Sequence, residues 1–232
     1  MIFERRTYTL KPGQRAAFLQ AQRDRGFAPV APICERLLGY FVEPDPAGDR
    51  VVHLYRYDDF GDWQARLHGL YAVPELRPYF GTVRKLMARQ DNVFLAPVPV
   101  PLLTPVWGPG RDWLPGQGPV PAAAGLDPAG AVLVEDSFLL RPGQALGFLD
   151  ALASAAPPGA GSLGWFAALT GRLHRHVHYE LFASRAAAEQ ARPTADLLPP
   201  ARLAGWAAEH RRRLLLPMSD IGEMVPLFGT AA

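Results

Sequence analysis

A single cysteine, Cys34, is the only thiol in this 232-residue chain. No disulfide can form within it, and a zinc site of the usual multi-cysteine kind is excluded. Cys34 lies among apolar neighbours in PICERLL, which predicts a buried, inert thiol rather than a nucleophile. Long apolar runs are missing as well. The longest candidate, around residues 96–107, is cut by Pro97, Pro99, Pro101 and Pro105, short of the roughly 20 residues a membrane helix needs. The first ten residues, MIFERRTYTL, put Glu4, Arg5 and Arg6 where a signal peptide needs its apolar stretch. A net charge of +2 is too small to argue for nucleic acid, and Arg211, Arg212 and Arg213 read as the solvated face of a helix. There is no Walker loop, no HExxH and no GxSxG. GAGSLG, residues 159–164, fits a dinucleotide fingerprint as a string, but it follows a helix and leads into a strand, the reverse of the required context. The expectation is a cytoplasmic protein with no membrane segment, no nucleic-acid partner and no cofactor.

What is present is repetition. LKPGQRAAFL at residues 10–19 returns as LRPGQALGFL at residues 140–149, with six positions identical and a spacing of 130. GYF at 39–41 returns as GWF at 164–166, and VHLYRY at 52–57 as VHYELF at 177–182, both at a spacing of 125. Three blocks in nearly constant register indicate a tandem duplication. Between the copies runs a segment too rich in proline and glycine for a helix or central strand. It also carries Leu102, Leu103, Trp107 and Trp113, which predicts a packed strap rather than a free linker. The domain boundaries follow: 1–98 and 131–219 for the two copies, 99–130 for the strap and 220–232 for a C-terminal tail.

Each copy reads strand, helix, strand, strand, helix, strand, the split βαβ order of ferredoxin-like domains. In the first, IFERRTYTL is β-branched and aromatic, Pro12 and Gly13 turn the chain, and QRAAFLQAQRDR has apolar residues at helical spacing. GYFVEP and RVVHLYRYD flank a DPAGD bend, Asp58 and Asp59 offer an N-cap to FGDWQARLHGLY, and a helix is expected through ELRPYFGTVRKLMARQ before NVFLAPV. The second copy ends with an expected helix in PARLAGWAAEHRRR and a strand in LLLPMS. A four-stranded sheet with both helices on one face leaves the other face bare. The expected fold class is therefore α+β: two ferredoxin-like βαββαβ domains forming an intrachain, pseudo-dimeric α+β barrel. Its lumen is the expected ligand site. Such a chain is either a monomer with an internal pseudo-twofold or a homo-oligomer.

The strings FERRTYTLKPG, LGYF, VVHLYRYDDFGDWQAR and NVFLAPVP resemble the NIPSNAP family over about residues 1–100, and more weakly over 131–218. Tyr55 stands where the family has tryptophan, and Val134, Asp136 and Phe138 replace Glu4, Arg6 and Tyr8 in the second copy. The resemblance implies the dimeric α+β barrel superfamily. That superfamily includes cofactor-free monooxygenases of aromatic polyketides, cyclases, muconolactone isomerases, haem-degrading enzymes, and binding or stress proteins. A shared fold does not choose among these.

Strand alternation groups Val51, His53, Tyr55 and Tyr57 on one face and Val52, Leu54 and Arg56 on the other. The more apolar set is expected under the helices, with the His53 face turned into the barrel. The first and third strands are neighbours in this topology, which sets Glu4, Arg6 and Tyr8 beside His53 and Tyr55. Catalytic candidates are then His53, Arg6, Tyr8 and Tyr55, through proton transfer and stabilisation of an enolate or phenolate. Glu4, Tyr57, Asp136, His176, His178 and Glu180 are candidate ligand-binding residues. The competing reading makes Glu4, Arg6 and His53 a satisfied polar network with no ligand. His174, His176, His178 and Glu180 alternate along one strand face, but same-face neighbours about 6–7 Å apart suit two metal ligands and not four, so no metal is assigned. Trp63, Trp165 and Trp206 read as packing residues. Three function classes remain open: a small-molecule enzyme that binds a small, largely apolar or aromatic organic ligand in the lumen and performs cofactor-free oxygenase, cyclase or isomerase chemistry; a non-catalytic binder of such a ligand; and a non-catalytic protein-interaction or stress-related protein.

Overall fold

A computed structural model describes residues 1–45, 48–108, 111–155, 159–219 and 224–229. Pro46 and Ala47 of the expected DPAGD bend, and residues 220–223 and 230–232 of the expected tail, lie outside them. The first copy contains β1 (Ile2–Leu10), α1 (Arg15–Arg25), the short α2 (Ala31–Cys34), β2 (Leu37–Glu43), β3 (Arg50–Tyr57), α3 (Phe60–Ala72), α4 (Arg77–Leu86) and β4 (Met87–Pro97). Two dipeptide strands follow, β5 (Trp107–Gly108) and β6 (Arg111–Asp112). The second copy contains β7 (Val132–Leu140), α5 (Ala145–Ala155), β8 (Ser162–Ala168), β9 (Arg175–Phe182), α6 (Arg185–Gln190), α7 (Pro200–Trp206) and β10 (Ala207–Pro217). The fold is α+β, with eight strands in a closed barrel in the order β1-β3-β2-β10-β7-β9-β8-β4.

The chain divides into two compact units. One holds Met1–Val93, Leu114–Pro119 and the described part of Leu215–Ala232; the other holds Phe94–Trp113 and Val120–Leu214. In the first unit β3 lies between β1 and β2, with Arg6 and Tyr40 both opposite His53. In the second, β9 lies between β7 and β8, with Asp136 and Trp165 both opposite His178. Each central pairing breaks register at the same place, between Leu37 and Gly39 and between Ser162 and Gly164. A bulge of this kind inserts one residue and bends the strand. Local chemistry sets the helix ends of the first copy: α1 is closed by Gly26, whose φ of 71° suits only glycine well, and Asp59 caps the start of α3 by accepting from the Asp62 amide at 2.9 Å. Leu103, Trp107, Trp113 and Val120 of the Pro/Gly-rich segment are buried, whereas Leu102 is exposed.

Two sequence expectations need revision. The helices expected to run through Gln90 and Arg213 stop at Leu86 and Trp206, and the chain continues as the long strands β4 and β10. The reason is the fate of buried carboxylates. Glu4, Glu135 and Asp136 are almost wholly inaccessible, and β4 and β10 bring them their donors: Asn92 to Glu4, Arg213 to Glu135, and His210 and Arg212 to Asp136. A helix there would take one donor from Glu4, which keeps Arg6 and Tyr57, and would strip Glu135 and Asp136 of the arginines that balance their buried charge, at a cost of several kcal/mol by the usual order of magnitude. Arg212 and Arg213 are thus strand residues in ion pairs, not the solvated face of a helix.

The second revision concerns sheet faces. His53, Tyr55, Arg6 and Tyr8 line a cavity together with Phe18 of α1, Leu70 and Tyr71 of α3, and Tyr79, Phe80 and Val83 of α4. The His53 face therefore meets the helices and does not point into a barrel lumen. Tyrosine and histidine rings have apolar bodies as bulky as the aliphatic set opposite, so alternation alone could not rank the faces.

Candidate functional site

The first-unit cavity measures about 90 Å³ and is walled by aromatic rings with a few polar groups. At its base is the pairing expected from sequence. Glu4 and Arg6, two residues apart on the same face of β1, form a bidentate pair, Arg6 Nε donating to Glu4 Oε1 at 3.1 Å and an Nη to Oε2 at 2.8 Å. Tyr57 donates to Glu4 at 3.3 Å, and Asn92 also donates to it. This buried carboxylate is fully satisfied.

His53 stands outside that network. Its imidazole is buried, and both ring nitrogens lack a hydrogen-bond partner among the described residues. The ring is held by stacking instead: Tyr40 lies parallel to it with centroids 3.4 Å apart, and Tyr8 meets it edge-on at 4.9 Å. Burial, with the Arg6 and Arg25 charges nearby, holds its pKa well below the usual histidine range. The imidazole is neutral at physiological pH, so it offers one donor and one acceptor to whatever enters. The Tyr40 and Tyr55 hydroxyls are 3.2 Å apart, and burial pushes the Tyr40 phenol up to about 12. Both remain protonated.

Charge in the cavity is positive. Arg6 is balanced by Glu4, and its guanidinium lies over the Tyr55 ring. Arg25 lies over the Tyr79 ring, donates to the Gly26 carbonyl, and has no carboxylate partner among the described residues. Tyr40, Arg25 and Tyr79 were not singled out from sequence. For Tyr40 a signal existed, since GYF and GWF mark the same position in each copy; Arg25 and Tyr79 come from helices whose facing only the packed structure fixes.

The second unit sets the corresponding residues differently. His178 is also stacked on an aromatic ring, Trp165 at 5.0 Å, but its nitrogens are engaged: Nε2 lies 2.9 Å from Ser162 Oγ and Nδ1 lies 3.5 Å from Thr194 Oγ1. Thr194 donates to Asp136 at 3.1 Å. Asp136 is a buried carboxylate paired with Arg212 and His210, each at 3.0 Å, and can only accept. The Thr194 hydrogen is thereby committed to Asp136, which makes His178 Nδ1 the donor to Thr194 and Nε2 the acceptor from Ser162. His176 faces Phe148 and lies 3.3 Å from the His174 carbonyl, while His174 is exposed. Among the described residues no group of three or more histidine, cysteine or acidic side chains is placed to hold a metal ion.

Residues 3–101 match the family model described as NIPSNAP. A NIPSNAP-like domain protein from Burkholderia xenovorans is 35% identical, over 47% of this chain and 97% of its own, with a TM-score of 0.39. A protein from Fusobacterium nucleatum is 9% identical over 94% of this chain and 92% of its own, with a TM-score of 0.58. An anthrone oxidase-like protein is 15% identical over 94% and 91%, with a TM-score of 0.53. These last two share the fold across nearly the whole chain. No curated protein matches it.

Proposed function

We propose a ligand-binding role for this chain, which belongs to the NIPSNAP family: its first unit takes up a small aromatic or enolisable compound that donates a hydroxyl to His53. One observation carries the reading. A buried imidazole with two unpartnered nitrogens is costly, by about 1–3 kcal/mol per unsatisfied group, unless a ligand completes it, and this one faces a cavity. The rings of Tyr8, Tyr40 and Tyr55 favour a planar guest. Arg25, with no carboxylate partner among the described residues, and Arg6 favour negative charge on the guest's oxygen. A volume of about 90 Å³ is well below the about 300–1,000 Å³ of drug-sized sites, so the guest is a single ring or one end of a longer molecule.

Chemistry would begin with that hydroxyl. As its proton moves to His53 the oxygen becomes anionic beside the two guanidiniums, and the imidazolium and oxyanion form a pair with no change in net charge. Cofactor-free oxygenase, cyclase or isomerase reactions all start from such an electron-rich enolate or phenolate, and a relative described as anthrone oxidase-like agrees with an aromatic guest.

The test uses 4-nitrophenol, whose absorbance reports its ionisation, with nitrobenzene as the control lacking the hydroxyl. The wild-type chain is expected to bind 4-nitrophenol saturably and nitrobenzene at least about tenfold more weakly, a difference of about 1.4 kcal/mol. His53→Phe keeps a ring against Tyr40 and removes both nitrogens. Its expected phenotype is unchanged or raised Tm with lost 4-nitrophenol binding. A large fall in Tm with binding retained would show that His53 serves packing and not a guest.

A further inference from the structure

The repeat relates the two units residue by residue, and their polar groups do not match. Position for position, Arg6 corresponds to Asp136, Tyr55 to Glu180, Tyr57 to Phe182 and Tyr40 to Trp165. Positive charge on the first strand becomes negative, and a phenol on the central strand becomes a carboxylate. The open space has moved too. Where the first unit has its cavity, around Tyr8 and Phe18, the second has a filled core of Phe138, Phe148, Trp165 and Trp206. A separate cavity of about 280 Å³ opens instead beside His178, Glu180 and Phe182, with Trp165, Leu152 and Leu197 among its walls.

Among the described residues only one ionisable group in this cavity is without a partner. His178 is committed through Ser162 and Thr194. Arg192 is exposed and donates to the Asp196 carbonyl. Arg212, behind the wall, is held by Asp136 and the Ala188 carbonyl. Glu180 has no hydrogen bond or ion pair among the described residues, and burial raises its pKa above the usual carboxylate range. A carboxylate drawn out of water beside two aromatic rings and aliphatic walls is the complement of an organic ammonium group, which the carboxylate neutralises and the ring faces attract.

We propose that the second unit carries a distinct ligand site, in which Glu180 binds the ammonium group of a small amine and Trp165, Phe182, Leu152 and Leu197 receive its apolar body. The two halves of the duplicated chain then hold guests of opposite electrostatic preference, an acidic hydroxyl at His53 and a cation at Glu180.

The experiment is a calorimetric titration of the intact chain with phenethylammonium, and with 3-phenylpropionate as the anion of similar shape. The amine is expected to bind saturably and the anion not to bind. Glu180→Gln should weaken amine affinity by at least about tenfold, with Tm unchanged, because the carboxylate it replaces has no partner to lose among the described residues. His53→Phe should leave amine binding as it was, which separates this site from the one in the first unit. Should Glu180→Gln misfold, Glu180→Met, of similar length and apolar, provides the same comparison. Equal affinity in the Glu180 variants, equal binding of the anion, or no saturable amine binding at millimolar concentration would each overturn the proposal.

Discussion

His53 and His178 occupy the same position in two copies of one strand, 125 residues apart, yet their chemistry differs because of what lies across the sheet. Opposite His53 stand Arg6 and Tyr40, neither of which bonds its nitrogens; opposite His178 stand Asp136 and Trp165, with Ser162 and Thr194 taking both. Sequence alternation found both histidines and placed Glu4, Arg6 and Tyr8 beside the first. It could not tell an orphaned imidazole from a satisfied one, since the deciding hydroxyl of Thr194 comes from a connection with no repeat signal. Burial holds the His178 pKa at about 4, below its unfolded value of about 6.5. Between those two pH values the unfolded chain binds a proton that the native one refuses. Stability is therefore full above about 6.5 and declines as pH falls toward 4, by an order of 3 kcal/mol from this residue. Urea unfolding at pH 7 and pH 5 measures it. His178→Gln, which retains a donor and an acceptor, is expected to be less stable at pH 7 but to lose about one proton's worth of the acid slope; an unchanged slope would mean that His178 charges freely in the native state.

At the level of elements the order of strands and helices was readable, because turn residues and periodicity recur in both copies. Their ends were not. Helix propensity runs on through Lys85–Gln90 and Ala207–Arg213 in the sequence, while the strand that replaces it is dictated by distant carboxylates on β1 and β7. The register breaks were marked by Gly39 and Gly164, visible only as the first letters of GYF and GWF. Gly164 has a φ of 120°, and a Cβ there would lie 3.3 Å from the Leu103 carbonyl oxygen and 3.4 Å from Thr104 Cα, both backbone atoms. Gly164→Ala should cost about 1–3 kcal/mol of stability from backbone conformation alone, measured as a shift in urea midpoint at constant m-value. A variant as stable as the wild type would show that the bulge can relax its φ. Because Trp165 follows directly, the same change is expected to weaken phenethylammonium binding more than 4-nitrophenol binding.

At the scale of the whole molecule, duplication was legible but the crossing of the chain was not. The first unit is completed by residues from the far C-terminus: Leu216 and Pro217 pair with Val42 and Phe41, Met218 donates to the Tyr40 carbonyl at 2.9 Å and the Tyr40 amide to the Met224 carbonyl at 2.7 Å. Met224, Val225 and Leu227 are buried. No periodicity in so short a segment could announce this: from sequence, Leu216–Met218 belong to the last strand of the second copy and residues 220–232 to a tail. Both backbone bonds of Tyr40 thus depend on a segment about 180 residues later, and Tyr40 is the ring stacked on His53. Ending the chain after Met218 removes the apolar contacts of three buried side chains, each worth about 1.5–3 kcal/mol when fully buried, and frees the Tyr40 amide. Hydrogen exchange is expected to accelerate along β2, and 4-nitrophenol affinity to fall several-fold, while phenethylammonium binding in the second unit is retained. If β2 exchanges at the wild-type rate in the shortened chain, then residues 224–229 cover the first unit without supporting it, and the ring on His53 is positioned by its own sheet.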